Sequence, residues 1–78
     1  MELKPDSSVL LSLITTEMPY GKYKGRLICD IPEHYLVWCQ RKDAWPKGKL
    51  GELMKNVFAI KENGLDYLFV ELKAIHNS

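Results

Sequence analysis

Apolar residues recur at helical spacing through most of the chain, and the clearest case lies in its second half. Leu50, Leu53, Met54, Val57, Phe58 and Ile60 alternate with charged positions so as to form one broad apolar face. Spacings of three and four residues predict a helix from about Lys49 to Glu62. Asn63-Gly64 is a stop signal, because Gly64 can take the left-handed conformation that closes a helix and Leu65 then meets Ile60. Leu65, Leu68, Phe69 and Leu72 continue the spacing and predict a short fourth helix, although Tyr67-Leu68-Phe69-Val70 also fits a strand. Near the start, Leu10, Leu13 and Ile14 share a face, with Val9 and Leu11 flanking. They predict a first helix over roughly Ser7 to Thr16, with Asp6 as its cap. Pro19 stops it from continuing.

Between these segments, Asp30-x-x-Glu33 has the form of a capping box, and Pro32 suits a first helical turn. Ile31, Tyr35, Trp38 and Cys39 then form an apolar stripe, so a second helix ends near Lys42 with Trp38 in the core. Residues 43–48 form a loop punctuated by Pro46 and Gly48. Trp45 in that loop is read as a lid on the core rather than an exposed stacking group, since a small protein needs the buried area. Tyr20 to Ile28 breaks the helical pattern. Gly21 and Gly25 bracket Lys22-Tyr23-Lys24, Gly25 can supply a positive φ at a turn, and Arg26, Leu27 and Ile28 read as a return strand. The expected fold is therefore α+β, a small β-hairpin packed against three to four short helices.

A length of 78 residues favours one domain over residues 1–78, with a tail that frays after Ile75. So short a chain buries only about 60–65% of the surface exposed when unfolded, and most apolar residues must contribute to the core. Hydrophobic residues make up 46% of the chain and charged residues 27%, enough apolar content to exclude disorder. Glu2 and Asp6 stand where a secretory signal needs cations, and Val9 to Ile14 is too short to span a bilayer. A cytoplasmic location without membrane association follows, with Cys29 and Cys39 as reduced thiols.

The net charge of +1 points to no partner, but its distribution does. From Tyr20 to Lys49 there are seven cations against three anions, a net +4, while the rest of the chain carries −3. The cations of the hairpin alternate with tyrosines: Tyr20, Lys22, Tyr23, Lys24, Arg26. In an extended strand alternate side chains share a face, so Tyr20, Lys22 and Lys24 would project together. Lysine and arginine suit phosphates, and a tyrosine can stack on a base. The same residues also suit a purely structural hairpin, with one tyrosine in the core and the lysines in water.

Other chemistry is poorly supported. Cys29, His34, Cys39 and His76 lack the close pairs of a zinc site, and the cysteines are better read as small packing residues. Cys39 and His34 fall on different faces of one helix with no orienting acid. Lys47-Gly48-Lys49-Leu50-Gly51 only superficially matches the phosphate-cradling pattern G-x-x-x-x-G-K-[ST]. Asp30, Glu33, Asp43 and Glu52 make no two-metal carboxylate set. Neither catalysis nor a cofactor is expected.

Several blocks carry a resemblance. Met18-Pro19-Tyr20-Gly21-Lys22-Tyr23-Lys24-Gly25, Asp30 to Trp38, Pro46 to Leu53 and Ile60 to Leu65 resemble a family of short uncharacterised bacterial proteins, over about residues 18–68. That family bears the label "putative quorum-sensing-regulated virulence factor", which implies a link to virulence regulation and no particular reaction. The first two blocks are also similar to the small C-terminal domain of exonuclease-X-like DNA exonucleases. This similarity implies a module that works beside an enzyme acting on DNA. The acidic nuclease domain is missing here, so only Lys22, Tyr23, Lys24 and Arg26 inherit the DNA-proximity idea. Tyr20 takes a place often filled by phenylalanine, which implies packing.

The expected function is a non-enzymatic module that binds DNA or RNA through a basic hairpin, using Lys22, Tyr23, Lys24 and Arg26 with Arg41, Lys42, Lys47 and Lys49. The alternative is a protein-interaction adaptor in virulence or quorum-sensing regulation, presenting aromatics such as Trp45, Tyr67 or Phe69 to a protein partner.

Overall fold

The structure is a computed structural model, and it describes residues 7–76. The Asp6 cap and the last two residues of the tail lie outside the described residues. Four helices account for the fold: α1 (Ser7–Thr15), α2 (Glu33–Lys42), α3 (Lys49–Glu62) and α4 (Tyr67–His76). A short 3-10 helix, Ile28–Asp30, precedes α2. Helix α3 packs against α1, α2 and the 3-10 helix, and α4 packs against α1.

The expected α+β class is corrected by this architecture. The described residues are helical and contain no strand or sheet. In place of the hairpin stands a closed loop with one isolated antiparallel bridge, Glu17 to Leu27. The Ile28 N–H donates to the Thr16 carbonyl (2.9 Å), Met18 N–H to Arg26 (2.8 Å) and Gly25 N–H to Met18 (2.9 Å). These bonds close the loop as a hairpin's would. Between them the chain curls instead of extending: Lys24 N–H donates to Gly21, and Arg26 N–H to Tyr23, in two successive i→i+3 turns. Gly21 (φ 87°) and Gly25 (φ 88°) bound the curl in a conformation that other residues adopt at a cost. Since residues 22–24 lie in turns, the alternation of faces expected of a strand does not apply to them.

The core gathers Leu13 and Ile14 of α1, Met18, Ile28, Cys29 and Ile31 of the connecting segment, and Leu36 and Cys39 of α2. Leu53, Met54, Val57 and Ile60 of α3 and Phe69 of α4 complete it. The extent of α3 and the helical reading of its successor hold. The cap between them forms as expected: Gly64 has φ 71°, Gly64 N–H donates to Lys61 and Leu65 N–H to Ile60. Helix α4 reaches His76, one residue past the point where fraying was expected. The start of α2 differs. Pro32 is its N-cap residue with extended backbone, no side chain caps it, and Asp30 faces Lys73 of α4 instead (Nζ to Oδ1 2.7 Å). At its other end Asp43 takes the left-handed conformation, φ 50° and ψ 45°, and Ala44 N–H donates back to Cys39 (2.9 Å).

Candidate nucleic-acid interface

Helix α2 buries Leu36 and Cys39, three residues apart. At 100° per residue, Trp38 then lies about 130° from the middle of the buried face. It is 49% exposed, which corrects its placement in the core. Tyr35 sits at the boundary, half-buried, and stacks on the Trp38 ring at 5.9 Å between centroids with planes 26° apart. Tyr23, from the curled loop, meets the same Tyr35 edge-to-face at 5.0 Å. The result is an aromatic row from the loop onto α2: Tyr23, Tyr35, Trp38.

Cations border the row. Lys22 Nζ lies 5.6 Å and the Arg26 guanidinium carbon 5.7 Å from the Tyr23 ring centroid, within cation–π range. On the other side of Trp38, a shallow groove of about 520 Å³ runs along α2, lined by Glu33, His34, Val37, Trp38 and Arg41. Burial pushes the Tyr35 phenol above its usual range, and neighbouring Cys39 adds to the shift. The phenol is therefore neutral at physiological pH and puts no anion among the cations.

The residues expected to form the interface are thus divided. Lys22, Tyr23 and Arg26 come together directly, and Arg41 joins them through the Trp38 groove. Lys24 is exposed on the same loop. Lys42 is exposed in the last turn of α2, one turn beyond Trp38. Lys47 and Lys49 flank Gly48 at the start of α3 and are exposed there, and neither takes part in the ring contacts or lines the Trp38 groove. Sequence reasoning placed Tyr35 and Trp38 on the apolar stripe of α2 and so left them out of the expected interface. The register of α2 carried the signal, since choosing Leu36 with Cys39 as the buried pair turns Trp38 outward.

Trp45 does act as a lid: half-buried, it rests against Phe58 at 5.9 Å, and its Nε1 donates to Gln40 Oε1 at 3.2 Å. Phe69 is buried, whereas Tyr67 is exposed. Cys29 and Cys39 are free and buried, and burial raises both thiols, with Asp30 a further cause at Cys29. Among the described residues no three His, Cys, Asp or Glu side chains gather as a metal-holding group. No described helix is long and apolar enough to cross a membrane.

A small helical domain with a cation-bordered aromatic row is thus the class of protein that fold and surface define. The chain belongs to the family described as "Putative quorum-sensing-regulated virulence factor", which matches residues 6–72. It is similar to "Uncharacterized protein YpeB" of Escherichia coli strain K12, 53% identical over 64 residues that cover 82% of this chain and 89% of the relative. The protein of the same name from Escherichia coli O157:H7 matches with the same identity and coverage. No solved structure matches the chain.

Proposed function

We propose that this protein is a non-enzymatic nucleic-acid-binding or accessory module that makes contact through the curled loop and the outer face of α2. The observation that carries this reading is the continuous row from Lys22 and Arg26 over Tyr23 and Tyr35 to the half-exposed Trp38. Stacking rings beside cations are the two components of sequence-tolerant binding to single strands, the cations meeting phosphates and the rings meeting bases. The net +4 between Tyr20 and Lys49 supports the same reading, as does the likeness of the loop motif to the exonuclease-X-like C-terminal domain. Exposed Lys42, Lys47 and Lys49 contribute to that net positive charge.

Fluorescence anisotropy against labelled single- and double-stranded DNA and RNA, titrated with salt, tests this reading. Binding is expected at low salt, with affinity falling steeply as salt rises. The triple variant Lys22→Ala, Lys24→Ala, Arg26→Ala should abolish that binding with its helical circular dichroism intact. No binding to any of these probes at low salt would refute the reading.

A protein-interaction adaptor is the second reading, favoured by a separate surface. Leu10, Leu11 and Ile14 of α1 and Leu72, Ile75 and His76 of α4 line an apolar groove of about 300 Å³. Leu11 is 47% and Ile75 72% exposed beside it. Exposed apolar grooves of this kind accept apolar helices of partner proteins. The two readings use different faces, so Leu11→Asp should disturb only the second.

A further inference from the structure

Building on the nucleic-acid reading, we infer that Trp38 is the seat for an unpaired base, and hence that the ligand class is single-stranded nucleic acid rather than duplex. Tyr35 stacks on one side of the Trp38 ring, yet the tryptophan remains half exposed and forms part of the adjoining groove. Stacking from behind holds the indole in place. A base stacking on its open side then meets an ordered platform.

The groove has polar groups at both ends. Glu33 and Arg41 are eight residues apart on α2, about 12 Å along the helix axis, with His34, Val37 and Trp38 between them. Arg41 can donate to a phosphate or sugar oxygen. Glu33, acceptor-only when ionised, repels phosphate but can accept from a base N–H, such as the N3–H of thymine. A nucleotide whose base lies on Trp38, with its phosphate toward Arg41 and a ring or amino N–H toward Glu33, satisfies both ends. Lys22 and Arg26, reached through Tyr23 and Tyr35, lie where the strand's next phosphates can pass. Bases paired inside a duplex do not offer their faces to an indole, so the seat selects unpaired ones.

The experiment uses the full chain and three probes of equal length: oligo(dT), the corresponding abasic oligonucleotide and a blunt DNA duplex. Trp45→Phe leaves Trp38 as the sole tryptophan for a fluorescence readout. Oligo(dT) should quench Trp38 fluorescence and bind roughly tenfold or more tighter than the abasic strand. Trp38→Ala should bring oligo(dT) down to abasic affinity while leaving the salt slope unchanged, since no phosphate contact is lost. Wild-type protein binding all three probes equally would overturn the base seat and leave the nucleic-acid reading standing. Failure of all three probes to bind at low salt would overturn both. The probe comparison in wild-type protein does not depend on how any variant folds.

Discussion

Gly51 presses its Cα against the Pro46 carbonyl, so closely that a Cβ at residue 51 would collide with that oxygen. This contact brings the first turn of α3 back over the loop that leaves α2. It also gives Pro46-Lys47-Gly48-Lys49-Leu50-Gly51 a structural purpose, with Gly48 at φ 76° forming the corner into the helix. Gly51→Ala must displace backbone rather than a flexible side chain. A loss of about 2 kcal/mol is expected, on the order of 10 °C in Tm for a domain of this size. Thermal unfolding followed by circular dichroism reads it, and an unchanged Tm would show that the loop can yield.

The two tryptophans should differ in what they contribute. Trp45 covers Phe58 and donates to Gln40, so Trp45→Ala opens the edge of the core and is expected to cost about 2–3 kcal/mol. Trp38 stacks on Tyr35 with half its surface in solvent, so Trp38→Ala should cost about 1 kcal/mol or less. Urea unfolding of both variants measures the difference. Equal losses would place Trp38 back among the residues that hold the fold together.

Much of the fold can be read from the sequence where periodicity and end signals agree. Helix α3 combines a six-residue apolar face with Gly64, and both its limits and its cap form as expected. The loop from Met18 to Ile28 shows why the rest was harder. The sequence indicates a closed turn, and the bonds from Met18 to Arg26 and Gly25 supply the closure. Whether the closed segment extends or curls depends on residues 21–26, where glycine at both ends permits either. Within α2, a stripe drawn through Trp38 and one drawn through Leu36 both have helical spacing. Packing against α3 decides between them, so the aromatic row was invisible although each of its members had been noted.

Lys73 of α4 reaches Asp30 at the end of the 3-10 helix and ties the last helix to the segment before α2. The hydrogen bond to Asp30 raises the Lys73 pKa above its ordinary 10.5, outweighing the opposing effect of desolvation. A cationic group raised in the folded state stabilises fully below its unfolded pKa, and that contribution disappears as pH rises through the folded value. Both side chains are partly exposed, at 30% for Lys73 and 46% for Asp30, so solvent screening holds the benefit to about 1 kcal/mol or less. Lys73→Met should therefore lower Tm at pH 7 to 9, and the gap to wild type should close above pH 10.5. A gap that persists unchanged at pH 11.5 would assign the loss to packing of the lysine stem.

Cys29 and Cys39 should be slow to react in the folded protein. Burial raises the pKa of both thiols, Asp30 raises Cys29 further, and Lys73 only partly opposes this. The thiolate is the reactive form, so at pH 8 each thiol is less ionised than a free cysteine and also shielded from reagent. Modification by an aromatic disulfide reagent should run at least about tenfold slower in buffer than in denaturant, gated by local opening. Asp30→Asn removes one of the causes at Cys29 and leaves Cys39 alone, so it should speed the modification of Cys29 selectively. Mass spectrometry of partially labelled protein resolves the two sites. Equal acceleration at both would mean that the substitution loosened the fold instead of changing the charge beside one thiol.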